Sequence, residues 1–341
     1  MVAYFIRRLL LMIPTLLGIT FLVFTITRFV PGGPIDQMIV KSQQGTIGEG
    51  GSNSDGSSVA IPPEILEELK KQYHLDKPVW KAYLLWLKDI IKLDLGKSYK
   101  YNTPVLNVIA VRFPISIYFG LIGFLLAYLV CIPLGVTKAI KHGSSFDLIS
   151  SSVVFIGYSI PGWALGAILL VMLGGGSFFD LVPLGGFRSE NWSQLNLIEK
   201  IVDQAHHTML PVIAYAMGSF ASLTILTKNS LMENLGHDYV RTAFAKGLSE
   251  KRVIFVHALR NSLIPLCTGL GHAIGILMAG SYLIEKVFNI DGIGYLGYTS
   301  IIERDYAVVM GVLVINTLLI LLGNILSDVL YVIADPRIRF Q

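Results

Sequence analysis

Charge is scarce in this chain of 341 residues: 15% are Asp, Glu, Lys or Arg, against about 25% in soluble domains. That shortage excludes an ordinary water-soluble globule. Cysteine is scarcer still. Cys131 and Cys267 are the only two, both inside apolar stretches and in no zinc or redox spacing, so neither a disulfide framework nor a thiolate metal site is expected. A nucleotide site is missing as well. "LGKS" at Leu95–Ser98 resembles the end of a phosphate-binding loop, but the spacing needs glycine where Ile91 stands. There is no HExxH, and the adjacent His206 and His207 cannot share one helical face as a metal pair would. A formal net charge of +4 is too modest to suggest nucleic acid.

What the chain has is hydrophobic length: 53% of its residues are hydrophobic. Six stretches approach or exceed the roughly 20 residues that cross a hydrocarbon core: Leu9–Val30, Pro114–Val136, Leu148–Leu173, His207–Thr227, Leu263–Ile284 and Ala307–Ile333. Arg7 and Arg8 before the first give it the look of a signal peptide. Its apolar run is too long for one, and "RFVPGGP" offers no small-residue cleavage site, so it reads as a retained span. With the N-terminus inside, the inner side collects Arg7, Arg8, Lys138, Lys141, Lys228, Arg241, Lys246, Lys251, Arg252, Arg260, Arg337 and Arg339. The two short outer loops hold only Arg188, Lys200, Lys286 and Arg304. The other basic residues lie in or beside the long segment between the first two spans, and long loops translocate largely regardless of charge. Both termini are therefore expected in the cytoplasm of a multi-pass membrane protein.

The organisation follows: a first span (1–30), an extracytoplasmic loop (31–107), a five-helix transmembrane domain (108–333) and a cytoplasmic tail (334–341). The outer loop holds a Gly/Ser-rich insertion, then Pro62 and Pro63 as a helix start and Glu67–Lys71 as a favourable four-residue pair. Trp80, Leu84, Leu87 and Ile91 form an apolar stripe opposite Lys81, Lys88 and Lys92, fit for a helix lying on the membrane or on neighbouring spans. Within the spans, Pro161 can kink the third, where Gly162 and Gly166 make a small-xxx-small face; Gly271 and Gly275 repeat that spacing in the fifth. His272 and Asn316 are intramembrane polar residues. Such groups face a bundle interior or a watery path, and both readings stay open for them and for the glycines.

The segment "DYVRTAFAKGLSEKRVIFVHALRNSLIP", from Asp238 to Pro265, is different in kind. Tyr239–Lys246 predicts a short helix stopped by Gly247 in the left-handed conformation. Leu248 and Ser249 then start a second helix, with Ser249 capping its free amides and Glu250 in the first turn. Val253, Val256 and Leu259 give that helix an apolar stripe. A basic anchor for headgroups needs only scattered lysines. A glycine stop, a serine cap and an apolar stripe in this order predict a rigid knob for a cytoplasmic partner, joined stiffly to the fifth span.

This segment resembles the EAA-type coupling loop of ATP-binding-cassette importer permeases, in the version of the dipeptide and oligopeptide systems. The resemblance continues in "RRLLLMIPTLLGI", "PGGP", "LDKPVW", "LGKSY", "GSYLIEKVF" with "GIG", "RDYAVVMG" and "DPRI", in family order. "PIDQ" with the glycine-rich insertion, "GGSFFDLVPLGG", "LTKNS" and "LSDVLY" are similar to the Yej-type subgroup, whose members take up peptides and the peptide–nucleotide antibiotic microcin C. The resemblance implies an all-α integral membrane protein with six transmembrane helices in the type I importer (MetI-like) permease fold. It implies a place in the bacterial inner membrane and peptide translocation across it, powered by ATP hydrolysis elsewhere. No cofactor would bind this chain; ATP and Mg would sit on partner subunits. The implied partners are a second homologous permease, two cytoplasmic ATPases or one fused ATPase, an extracytoplasmic peptide-binding protein and the lipid bilayer, with no nucleic acid. Carried onto this sequence, the ATPase-coupling loop comprises Asp238, Tyr239, Arg241, Thr242, Ala243, Ala245, Lys246, Gly247, Leu248, Ser249, His257, Arg260 and Asn261. Glu285, Gly292 and Gly294 become outer-gate residues. The chain departs from the general loop at Arg241-Thr242-Ala243, where other importers have Glu-Ala-Ala, and from the usual Pro-Gly-x-Gly at Asp291. Two other classes compete. A self-sufficient secondary transporter or channel would need inverted repeats, which are not visible, and an intramembrane serine protease would rest on Ser159 and His272 alone.

Overall fold

A computed structural model describes residues 2–30, 76–176, 178–267, 270, 275 and 280–334. The Gly/Ser-rich insertion, the Pro62–Pro63 helix start, the Glu67–Lys71 pair, Gly271, His272 and nearly all of the terminal tail lie outside these residues. Among the described residues there is no β-strand, and the elements are helical throughout.

In chain order the helices are α1 (Val2–Phe29), α2 (Val79–Ile91), α3 (Val105–Ile140), α4 (Ser145–Ser159), α5 (Gly162–Leu173) and α6 (Leu197–Leu235). There follow α7 (Asp238–Ala245) and a composite α8 made of Glu250–Arg252, the π-helical Val253–Ala258 and Leu259–Ser262. The chain closes with α9 (Tyr282–Val287), α10 (Ile293–Ile302) and α11 (Tyr306–Ala334). Four of these are long and apolar enough to cross a membrane: Tyr4–Phe29, Val105–Ile140, Leu197–Leu235 and Tyr306–Leu330. Ten of the 22 residues of the fifth expected stretch, Leu263–Ile284, lie outside the described residues.

The third expected span is broken, not straight. α4 and α5 meet at 93° across Ile160 and Pro161. Pro161 supplies no amide and holds φ near −54°, so the ladder of α4 stops and α5 starts on a new axis. The same residue type is absorbed inside longer helices, at Pro14 in α1, Pro114 and Pro133 in α3 and Pro211 in α6. There the neighbouring turns continue the helix around the lost bond. α6 begins with a reciprocal cap. Asn196 Oδ1 accepts from Glu199 N and Glu199 Oε2 accepts from Asn196 N, both at 2.9 Å.

The chain divides into two compact units. One is built on Arg112–Leu296 with Met1–Leu9 and Asn316–Gln341. Its helices α3 and α6 each contribute to two separate apolar clusters. Phe119 of α3 and Leu210, Val212, Ala214 and Tyr215 of α6 pack with Ile284, Phe288 and Ile290. Further along the same helices, Val136, Ala139 and Leu231 pack with Val240, Ala243, Val253 and Ala258. Arg8 closes on Asp328 at 3.0 Å.

The other unit holds Leu10–Val111 and Gly297–Ile315. Tyr83 of α2 is its anchor, with its hydroxyl 2.9 Å from both Thr20 Oγ1 and the Leu17 carbonyl. Two motifs distant in sequence meet here. Ser98 of "LGKSY" donates to Asp305 of "RDYAVVMG" at 2.5 Å, and the Lys100 amide donates to the same carboxylate at 3.1 Å. The serine that mimics a phosphate loop thus serves a packing joint. The stripe expected on α2 divides: Leu87 packs on a cluster with the buried Ala82 and Tyr83, whereas Trp80, Leu84 and Ile91 are exposed. Phe24 and Met310 share a buried cluster with Ala82 and Tyr83, and Trp86 packs on its edge, because aromatic contacts on that side outweigh the sequence period.

Candidate functional site

The knob is built by backbone geometry. Gly236 ends α6 and His237 leads into α7, where Asp238 sits favourably in the first turn. At the other end Gly247 takes φ +77°. Its amide donates to Phe244 O at 2.9 Å, and the Leu248 amide donates to Ala243 O at 3.4 Å. This pair of bonds is a Schellman cap, completed by the packing of Leu248 on the cluster that contains Ala243. The expected stop is present, one residue after Lys246.

A Cβ at Gly247 would meet nothing within 4 Å, so only the positive φ demands glycine. Gly247→Ala is expected to cost about 1–2 kcal/mol, the left-handed penalty for a residue with a Cβ. The thermal midpoint of the purified protein checks it.

Two local expectations change. Ser249 occupies the cap position with extended backbone (φ −65°, ψ 147°), but its side chain makes no capping hydrogen bond. Val256 is exposed, and the buried residues of α8 are Val253, Ile254, Ala258 and Ser262. The π turns explain this. Bonding from i to i+5 widens each turn, so Val253 and Ala258, five apart, share a face where an α-helix would pair residues three or four apart.

The buried side of the knob is thus Val240, Ala243, Val253 and Ala258, seated on Val136, Ala139 and Leu231. Its far side exposes Tyr239, Arg241, Thr242, Phe244, Ala245, Lys246 and Ser249, with Arg260 and Asn261 exposed further along and His257 half-buried. Arg241 lies 3.6 Å from Asp238, and both are solvent-exposed, which makes the pair a weak one. Ser230 Oγ donates to Ser262 O at 2.9 Å and pins the end of α8 to α6.

Beside the knob lies a cluster missed by the sequence reading, which placed Lys138 and Lys228 among loop cations. Lys138 is only 1% exposed. Its ammonium reaches Asp147 O at 3.0 Å, Ser150 Oγ at 2.9 Å, Ser151 Oγ at 2.7 Å and Asp147 Oδ1 at 3.2 Å. Lys228 of α6 donates to both Asp147 oxygens at 2.8 and 2.7 Å, and His142 Nδ1 lies 3.3 Å away. One carboxylate therefore ties the end of α3, the start of α4 and α6. The sequence signal was an aspartate just past two loop cations; only the fold brings Lys228 to it.

At the other cluster, Glu285 of α9 is 1% exposed. It accepts from the Tyr295 amide at 2.6 Å, from Ser116 Oγ of α3 at 2.9 Å and, at 3.5 Å, from the Tyr215 hydroxyl of α6. Ser116 Oγ in turn accepts from Ile293 N at 2.8 Å, and the Tyr215 hydroxyl accepts from Ser281 N at 3.0 Å. The glycines explain the tightness. A Cβ at Gly292 would sit 2.5 Å from Glu285 Oε1 and 2.6 Å from Ser116 Oγ, and one at Gly294 would sit 2.6 Å from Tyr282 N. Burial pushes the Glu285 carboxyl up to about 7, opposed chiefly by the bonds from Tyr295 and Ser116. Asp291 accepts from Arg112 Nε at 2.7 Å.

The remaining intramembrane residues divide by contact. A Cβ at Gly162 would strike Ala214 O, and one at Gly166 would lie 2.8 Å from the Phe288 ring and 3.1 Å from Ala214 Cβ. Gly275 is as close to α11, with Leu319 O at 2.9 Å from its would-be Cβ. These glycines serve close helix approach. Asn316 Oδ1 is buried without a hydrogen-bond partner among the described residues. Ser159 spends its hydroxyl on Phe155 O at 2.9 Å, in the exposed last turn of α4. Among the described residues no cluster of metal-ligating side chains occurs.

Comparison with known proteins closes the case. Residues 131–340 match the family described as binding-protein-dependent transport system inner membrane component. The chain is 39% identical to the peptidoglycan transport system permease protein YejB of Agrobacterium fabrum, covering 99% of this chain and 98% of that one. It is 42% identical to the inner membrane ABC transporter permease protein YejB of Escherichia coli O157:H7, covering 99% of each. It is 36% identical to the oligopeptide transport system permease protein AppB of Bacillus subtilis over the full length of both. With an all-helical structure and membrane-length apolar helices, and with relatives matched from end to end, the chain belongs to the binding-protein-dependent transport system inner membrane components, as a multi-pass permease subunit.

Proposed function

We propose that this chain is one of two permease halves that pass peptides, or peptide conjugates of the microcin C kind, across the inner membrane. In this reading 108–333 is the transport domain, both termini are cytoplasmic, and a second homologous permease completes the wall of the path. An extracytoplasmic binding protein delivers the peptide. Two ATPase subunits, or one fused pair, hold ATP and Mg and grip the knob from the cytoplasm. The Glu285 loop, with Gly292 and Gly294, then belongs to the outer gate. The relative named as an oligopeptide transport system permease supports the substrate class.

The observation that carries the coupling role is the two-sided knob. One side is fixed to α3 and α6 by buried apolar contacts, while the other presents Tyr239, Phe244 and Ala245. A glycine-stopped turn is short and stiff, so a push from the ATPase moves the helix ends and is not absorbed by a linker. Its position at the base of α6 and α8 lets that push reach both.

Cysteines at Ala245 and Ser249, exposed and outside the buried cluster, are expected to crosslink to an ATPase subunit in membranes of cells making the whole importer. Crosslinks to lipid alone would sink the reading. Gly247→Trp projects into open space, so the chain is expected to remain in the membrane while ATP hydrolysis continues and peptide uptake falls at least tenfold. Unchanged uptake would remove the coupling role.

A further inference from the structure

α2 has three faces where an amphipathic helix in a globular protein has two. At about 100° per residue, Ala82, Trp86, Ile90 and Tyr83 occupy one arc, and this is the side that packs on α1 and Met310. Trp80, Ile91 and Leu84 fall within an arc of about 40° and are exposed, Trp80 by 62%, Leu84 by 56% and Ile91 by 83%. Lys88, Lys81 and Lys92 form a third row beside that stripe, all three exposed. Among the described residues α2 is anchored through that other side, where Leu87 of the expected stripe joins the cluster, while Trp80, Leu84 and Ile91 stay exposed.

We propose that this stripe lies in the interfacial layer of the bilayer, with Trp80, Leu84 and Ile91 between the upper acyl segments and the three lysines on the phosphates of anionic lipids. Three observations favour lipid over a protein occupant. First, the row of cations runs alongside the apolar stripe for the length of the helix, as in helices that lie in a membrane surface, where headgroups and chains are layered side by side. Second, α2 packs on the half of α1 that leads to its Phe29 end: the Tyr83 hydroxyl reaches Thr20 and Leu17, and Phe24, which contacts Tyr83 and Trp86, is five residues, or about 7.5 Å, from Phe29. Third, the apolar surface is continuous in kind with α1 itself, whose Phe21, Leu22, Ile26 and Phe29 are also exposed. The tryptophan at the start of the stripe suits the interface, where one end of the ring is wet. The role is to fix the height of the extracytoplasmic segment that follows α1 against the bilayer. It does not depend on which peptide is carried or on the coupling assignment.

The test uses the whole importer in vesicles of phosphatidylcholine with or without phosphatidylglycerol. Leu84→Cys and Ile91→Cys each carry an environment-sensitive fluorophore, with unsubstituted protein as the labelling control. Nitroxide lipids labelled near the top of the acyl chain are expected to quench both positions strongly, and aqueous iodide weakly. Lys81→Gln, Lys88→Gln and Lys92→Gln are each expected to lower the lipid-bound fraction by up to about fivefold in the anionic vesicles, with little change in phosphatidylcholine. Quenching by iodide and not by lipid overturns the proposal in favour of a solvated cap. Protection from both quenchers overturns it in favour of a protein cover, from the partner permease, the binding protein or the segment before α2. Equal quenching in both lipid mixtures, unaffected by the lysine exchanges, overturns the anionic headgroup contact.

Discussion

Asp147→Ala is expected to destabilise the protein by about 3–5 kcal/mol, the cost of stranding buried charge. Lys138 is enclosed by α3 and α4, and Lys228 is mostly enclosed against them, so neither ammonium reaches bulk water freely once the carboxylate is gone. The serines that serve Lys138 cannot neutralise it. Asp147→Asn should cost less, since its amide oxygen still accepts from a lysine. Combining Lys138→Met, Asp147→Leu and Lys228→Met should recover much of the loss, because replacing a whole buried ion cluster by apolar groups is often neutral. Thermal aggregation in detergent, followed by size exclusion, ranks the variants. A carboxylate whose removal shifts the midpoint by less than a degree or two is not a clasp. The consequence for transport is mechanical. The same ends of α3 and α6 that receive the knob are held by Asp147, so loosening them is expected to reduce uptake even where ATP hydrolysis persists.

The second large effect is pH dependence at Glu285. Its carboxyl ordinarily titrates near 4.5 and is raised to about 7 by burial. A raised acid binds its proton more tightly in the folded state. Its contribution is therefore complete below about pH 4.5 and is lost as pH rises through about 7, a difference of about 3 kcal/mol in all. Thermal midpoints should accordingly fall between about pH 5 and pH 8, and Glu285→Gln should flatten that fall, its one amide oxygen still accepting from Tyr295 N while its amide nitrogen donates to Ser116 Oγ. A slope unchanged in the glutamine variant would assign the dependence elsewhere. Gly292→Ala gives an independent check. Its Cβ would overlap Glu285 and Ser116, so the loop must open and uptake is expected to fall, whatever the pH.

The coupling segment was legible because its signals are local. A helix end at Gly247 needs only a residue that tolerates positive φ, and the Schellman bonds follow within six residues. The break at Pro161 is local for the same reason, since a missing amide acts on its own turn. The order of motifs along the chain was enough for the family, and the full-length relatives agree.

Other features were set by neighbours distant in sequence. Lys138 and Lys228 look like loop cations until Asp147 stands between them. The period of α2 marks an amphipathic helix, and Phe24 and Thr20 of another helix decide which side of it they cover. Val256 pointed inward only so long as α8 was counted at 3.6 residues per turn. Ser98 and Asp305 are separated by more than half the chain and meet in one short hydrogen bond.

The sequence by itself determined that the chain carries long apolar helices, where the helix before Gly247 stops, and which family the chain belongs to. Those outcomes depend on transfer free energy and backbone geometry, which act residue by residue. The tertiary structure alone decided which charges are buried and which face of a helix is free. Burial and electrostatic pairing depend on what another part of the chain places within a few ångströms.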